Sequence, residues 1–305
     1  MNNKHKSHIY KALSIIIFLL TVSYAMPVRK DINKCENNRP YYDLTAEDIV
    51  ARIYEYTGVE WLEETVDQFK TGRSDEIITG VATTFLATYD VLKRAVDQNC
   101  NFIITHEPTF YNHYDYTEPL QGDPVQDMKI KFLEEHNLVV WRFHDHIHMM
   151  TPDGIVKGMV KGLGWEKYLV DGEENIFVVP EMSLKQLAAS LKDHYSVSTI
   201  RIIGDPELKC TQVGLSVGAP GSMSQINMLQ RDDVEVLIAG ESREWETVEY
   251  VRDAVDAGMR KAIILLGHAI SEEDGMKYLA DDLKEVIPEV PVKFIQAGNP
   301  FWSPE

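Results

Sequence analysis

From Leu44 onward, short apolar runs alternate with amphipathic stretches along the chain. "TAEDIVARIYEYTG" places Ile49, Ile53 and Tyr54 at helical spacing behind Thr45 and Asp48, which predicts a capped amphipathic helix. "EIITGVATTF" is rich in β-branched residues and predicts a strand; "TYDVLKRAVDQNC" predicts a helix. "NFIITHEP" then predicts a strand, "PVQDMKIKFLEEHN" a helix and "LVVWRFHDH" a strand. The second half repeats the rhythm. "SLKQLAASLKDHY", "WETVEYVRDAVDAG" and "KYLADDLKEVIP" predict helices, and "CTQVGLSVG", "VEVLIAGE", "KAIILL" and "VPVKFIQ" predict strands. The alternation predicts an α/β fold with parallel segments: two similar lobes with mixed sheets, residues 44–170 and 171–305.

Three of these apolar strands run directly into groups that resist burial. "FIITHEP" ends in His106 and Glu107; "VVWRFHDHIH" ends in His144, Asp145, His146 and His148. "IILLGHAISEE" ends in His268, with Glu272 four residues on. The carboxyl ends of strands in open α/β sheets are where ligand sites assemble, so the site is expected between the lobes. If a helix begins in the third loop, His268 and Glu272 share one face of it. His106 and Glu107 are adjacent and would point to opposite faces of a regular strand, so both reach one site only if the chain bends before Pro108. In "HDHIH", an extended chain would send all three histidines to one side. A turn leaves open which of them converge.

Acidic residues number 48 against 30 basic, a formal net charge of −18, which argues against nonspecific nucleic-acid binding and is compatible with a cation site. The first 25 residues combine Lys4, Lys6 and Lys11 with an apolar core and the small-x-small run Ser23-Tyr24-Ala25. This pattern is a secretory signal peptide, followed by a linker over 26–43. The chain is therefore expected to be exported, periplasmic or extracellular, with no stable membrane insertion after cleavage. Cys35, Cys100 and Cys210 match no zinc or redox spacing; Cys100 and Cys210 read as buried apolar residues.

The ordered set "FIITHEPTF", "FHDHIH", "IAGE" and "LLGHAISEE" resembles the Nif-three-like dinuclear metal-centre proteins, some of which are described as type-two GTP cyclohydrolase I. That family carries Thr-His-His-Pro, then His-x-x-x-Asp, then Gly-His-x-x-x-Glu, and the resemblance spans roughly Leu44 to Pro304. It implies metal ligands at His106, Glu107, His148, His268 and Glu272, with His144 close by. It also implies two divalent ions and a homo-oligomer, a hexamer in the family. The chain departs from the pattern twice: Glu107 stands where the family has histidine, and His148 where it has aspartate. The two exchanges leave three histidines and two carboxylates, a donor set suited to zinc, iron or manganese. A histidine cannot bridge two ions as a carboxylate can, so Glu107, Glu272 or a hydroxide would have to.

These readings point to a metal-dependent hydrolase for a small polar substrate, phosphorylated or heterocyclic, with Glu241 of "AGESREW" as a proton shuttle. Action on GTP follows from the family label alone, and export works against it. A non-catalytic metal-binding scaffold is the alternative; a mononuclear iron oxygenase would leave several ligands idle. "VGAPGS" reads as a tight turn before a phosphate cradle, and His113, Asp115 and His146 as exposed loop residues.

Overall fold

A computed structural model describes residues 43–302 and Pro304. The expected signal peptide, residues 26–42 of the linker, and Cys35 lie outside the described residues. In chain order the elements are α1 (Ala46–Thr57), β1 (Phe69–Thr71), β2 (Val81–Thr84), α2 (Tyr89–Asp97), β3 (Phe102–Thr105), α3 (Pro124–Glu135), β4 (Val139–Arg142), α4 (Asp145–His148) and α5 (Gly154–Leu163). They continue with β5 (Ile176–Ser183), α6 (Leu184–His194), β6 (Arg201–Ile203), β7 (Lys209–Ser216), α7 (Ser222–Leu229), β8 (Val236–Ala239), α8 (Glu249–Asp256), β9 (Ala262–Leu265), α9 (His268–Val286) and β10 (Val292–Phe294). The capping box expected at Thr45 and Asp48 is present at the start of α1.

The strands form two five-stranded mixed sheets, ordered β1-β4-β3-β2-β10 and β5-β7-β8-β9-β6. In the first, β4, β3, β2 and β10 run parallel and β1 antiparallel; in the second, β7, β8 and β9 run parallel between two antiparallel edges. β2, β3, β4, β8 and β9 are buried at every position, because both faces of each sheet are covered by apolar clusters. Cys100 and Cys210 are free and buried, as read from the sequence. β10 comes from the last residues of the chain yet joins the first sheet beside β2. β1, α5, β5, β6 and α7 had no clear signature in the apolar pattern; three of them are edge or short elements with mixed exposure. Among the described residues no helix is long and apolar enough to cross a membrane.

Register is what matters for function. Thr84 pairs with Thr105, and Thr105 with Arg142, so β2, β3 and β4 end level. Ser216, Ala239 and Leu265 end β7, β8 and β9 level in the same way. Residues one to three positions beyond these ends therefore emerge side by side.

α9 carries the last of the ligand-type clusters and is held by a close crossing with α5. A Cβ added at Gly158 would collide with Gly275 Cα, and one at Gly275 would lie 2.7 Å from Ile155 Cα. Gly158→Ala gains about 0.5–1 kcal/mol of helix preference but forces two backbones apart, an overpacking cost of about 1–3 kcal/mol. The substitution is expected to destabilise the chain by about 1–2 kcal/mol net. Denaturant unfolding of wild type and variant measures it, and Gly158→Val should cost more.

Candidate metal centre

Beyond the level strand ends, four histidines and two carboxylates meet. His106 and Glu107 follow β3, where the strand stops at Thr105 and the chain bends, so both adjacent side chains reach the cluster. α9 begins at His268, which puts Glu272 one turn on along the same face; His268 Nε2 and Glu272 Oε2 are 3.1 Å apart. His106 Nε2 lies 3.3 Å from the same Glu272 oxygen, and Glu107 Oε1 lies 3.2 Å from His268 Nε2 and 3.8 Å from His144 Nε2. His106, His144 and His148 also bring ligand atoms within 4.8 Å of one another, as do His106, Glu107 and Glu272.

The predicted strand "LVVWRFHDH" ends early, at Arg142, and the histidine run folds as the one-turn helix α4. His144 and His148 then share a face, four residues apart, and His146 points away. Asp67, from the distant loop before β1, caps α4: its carboxylate accepts the N–H groups of His144, Asp145 and His146 at 2.6, 3.0 and 3.0 Å. His146 is wholly buried rather than exposed. Its Nδ1 pairs with Asp67 at 2.7 Å, its Nε2 accepts from Leu62 N–H, and its ring stacks on Trp61. Both nitrogens are used, so it has nothing to offer an ion. Asp115 is also buried, accepting from the N–H groups of Thr109 and Phe110, whereas His113 is exposed as expected.

Three of the four cluster histidines have Nδ1 hydrogen-bonded to an oxygen. The partners are the Phe143 carbonyl for His106 (3.1 Å), Asp145 for His144 (2.9 Å) and Asp153 for His148 (2.8 Å). His268 Nδ1 faces Glu241 at 3.4 Å. An Nδ1 proton held this way leaves Nε2 as the donor atom, the arrangement metal-binding histidines adopt. His106 Nε2 and Glu272 Oε2 are buried without a hydrogen-bond partner, although they face each other. Opposed buried orphans of this kind are satisfied by a cation between them, so the residues fit a metal site.

Charge follows geometry. Burial opposes ionisation of Glu272, but the adjoining His106 and His268 hold it far below the carboxylate range. Burial likewise works against protonation of His268, yet Glu107 and Glu272 push it up to about 10. Burial lowers His144 to about 4, with the neighbouring His106 adding to the effect.

Several supports had been missed in the sequence. Arg142, fully buried, donates to Glu107 Oε2 at 3.0 Å and to the carbonyls of His106 and His113. It occupies one Glu107 oxygen and leaves Oε1 to the cluster. A lone charge inside "VVWRF" was the available signal, since a buried guanidinium requires a partner. Asp153 caps α5 through Oδ1 while holding His148 through Oδ2. Gly218, in the turn read from "VGAPGS", lies against Glu272, and a Cβ there would collide with its Oε1. The cluster opens onto a cavity of about 1090 Å³ whose wall includes Glu241, Tyr111, His113 and Lys129.

A model of the Duf34/NIF3 (NGG1p interacting factor 3) family matches residues 45–300. A protein of Clostridium acetobutylicum named GTP cyclohydrolase 1 type 2 homolog is 24% identical over 208 residues, covering 65% of this chain and 73% of that protein. One of the same name from Clostridium perfringens is 23% identical over 242 residues, covering 75% of this chain and 88% of its own length. The crystal structure of a Bacillus cereus protein related to NIF3 shares the fold, with a TM-score of 0.68 at 14% identity over 85% of this chain and 99% of that one. A hypothetical protein of Staphylococcus aureus does so with a TM-score of 0.66 at 15% identity, again over 85% and 99%.

Two outcomes follow from this geometry. His146→Ala removes a buried ring stacked on Trp61 and one of the four donors to Asp67, and is expected to cost about 3 kcal/mol or more, with divalent-metal uptake by the folded protein unchanged. His148→Ala is expected to lower metal uptake with a stability change under about 1 kcal/mol. Unfolding curves and metal titration of both variants separate the roles. The second concerns Lys129, whose amine burial pushes down to about 8 from an ordinary 10.5, against the opposing pull of Asp115. Below pH 8 it is charged in both folded and unfolded chains, and its burial counts fully against folding. Between 8 and 10.5 the folded chain sheds the proton first, so stability rises with pH. Lys129→Met is expected to be more stable than wild type at pH 7 by about 1–3 kcal/mol, with the gap narrowing by pH 10 in the same unfolding assay.

Proposed function

Because this chain belongs to the Duf34/NIF3 family, we propose that it holds two divalent ions, zinc, iron or manganese, and hydrolyses a small polar substrate in the adjoining cavity. The observation that carries the reading is the convergence of four histidines, three of them with Nδ1 hydrogen-bonded to oxygen and Nε2 left for a ligand role, beside Glu107 and Glu272. The residues that would hold the ions are His106, His148, His268, Glu107 and Glu272, with His144 beside them. Glu272 would be the carboxylate most available to the ions, since it faces both His106 and His268 while Arg142 occupies half of Glu107.

Ions so held would polarise a substrate oxygen and lower the pKa of a water toward neutrality. The chain's own residues supply the rest. Arg142 fixes the orientation of Glu107 and offsets its charge. Glu241, with its side chain 65% exposed on the cavity wall and 3.4 Å from His268 Nδ1, would serve as the group that takes up a proton and passes it to solvent. The adjoining cavity favours catalysis over a scaffold role, because it leaves room for the water or substrate that a catalytic metal keeps in its coordination sphere and a purely structural one does not. The relatives' name points to hydrolytic opening of a heterocycle. The signal-like segment over residues 1–25 supports export, which makes GTP itself an unsuitable substrate.

Elemental analysis of protein purified without added metal tests the reading. The expected result is about two ions per chain, falling below one in Glu272→Ala, with Glu241→Gln keeping its metal. Less than about half an ion, with no uptake on titration, rules the site out. Full loading with no hydrolysis across a panel of phosphate monoesters and N-heterocycles would favour the scaffold.

A further inference from the structure

We propose that the cavity beside the cluster contains an anion subsite built on Lys129, which receives the carboxylate or phosphate group of a small molecule whose other end meets the cluster. The proposal deepens the hydrolase reading and rests on it for what happens at that other end.

Lys129 sits on the inward face of α3 and is only 3% exposed, yet it lines the cavity. Its Nζ donates to the Thr109 carbonyl at 2.6 Å and lies 5.2 Å from the centre of the Tyr111 ring. An ammonium has three N–H groups, and among the described residues no carboxylate oxygen comes within ion-pairing distance of this one. The nearby acids are already engaged. Glu107 pairs with Arg142 at 3.0 Å; Asp115 faces Lys70 at 3.5 Å and Arg142 at 3.8 Å, and its other oxygen accepts two backbone N–H groups. Three buried cations thus share two carboxylates, and Lys129 is the one left over.

Buried charges are ordinarily paired, and an unpaired one costs stability that a methionine or leucine on this face would avoid. In a chain of net charge −18, a surplus buried cation on a cavity wall is a selective device for an anion that the overall field would repel. A second donor lies beside it. Thr109 is fully buried, lines the same cavity, and its Oγ1 has no hydrogen-bond partner. The remaining wall suits a flat or apolar body: Leu86, Pro108 and Val217, with Tyr111 held at a left-handed φ of 59° and 54% exposed. Such backbone strain in a non-glycine residue gathers at ligand sites.

Phenyl phosphate and benzoate serve as probes, since they share a flat apolar body and differ in the anion. Each is titrated calorimetrically into the metal-loaded chain, the chelator-stripped chain, Lys129→Met and Lys129→Arg. At least one anion is expected to bind the loaded and stripped wild type alike, and the tighter of the two identifies the anion. Lys129→Met is expected to weaken binding about tenfold or more with metal content unchanged, and Lys129→Arg to hold it within about threefold. Thr109→Val, which leaves the lysine in place, is expected to weaken binding by a smaller factor, and it decides the case if Lys129→Met does not fold. Equal affinity in Lys129→Met, binding of neither anion, or binding that disappears with the metal overturns the subsite. Lysine-dependent binding in a chain that takes up no metal would instead leave the subsite standing and remove the hydrolase reading.

Discussion

Glu272 is a carboxylate 2% exposed, one helical turn inside α9, with His106 and His268 both within 3.3 Å of one of its oxygens. Burying an anion this deeply is costly unless cations or hydrogen-bond donors surround it. Much of the surrounding structure meets that condition. The level ends of β3 and β4 deliver the imidazoles, and the β7 exit carries Gly218 because nothing larger fits against the carboxylate. Gly240 approaches the Gly218 backbone and Ser271 in turn, while the Gly158–Gly275 crossing fixes where α9 lies. Close packing by glycine is thus what allows ligand-type side chains from two sheets to meet within hydrogen-bond distance.

The aspartates behind the histidines do two jobs at once. Asp153 begins α5 and orients His148; Asp67 begins α4 and buries His146. Asp145 accepts from Thr65 and Val66 and holds His144, and burial notwithstanding, those hydrogen bonds keep it at about 2. Local folding and ligand orientation are therefore coupled: a helix cap that is lost also frees an imidazole to rotate. The part of the cavity wall formed by Lys129 works in the opposite sense. There a cation is buried without an anion, and the chain gives up stability at a place where a ligand could restore it.

His106, Glu107, His268 and Glu272 were legible because each rests on a local rule, a parallel strand end or an i, i+4 helical pair. The choice among His144, His146 and His148 came from the family resemblance and was not legible in the spacing. It depends on where β4 stops, and that depends on Asp67, 77 residues from His144, capping a helix of only four residues. The reading of His146 as exposed failed for the same reason, since Asp67 and Leu62 come from another part of the chain; Asp115 is buried by its own loop, through the N–H groups of Thr109 and Phe110, against the distant Lys70 and Arg142. Arg142 and Lys129 carry no ligand-type signature, and their one signal is a charge on an otherwise buried face. β10 pairs with β2 across some two hundred residues, and no periodicity in "VPVKFIQ" specifies that partner.

Anomalous X-ray diffraction from crystals of the metal-loaded protein tests the central claim most directly. Two anomalous peaks are expected, both within coordination distance of Glu272, with every bound histidine attached through Nε2 and one Glu107 oxygen still on Arg142. A single peak away from Glu272, or histidines bound through Nδ1 with Asp145 and Asp153 displaced, would contradict it.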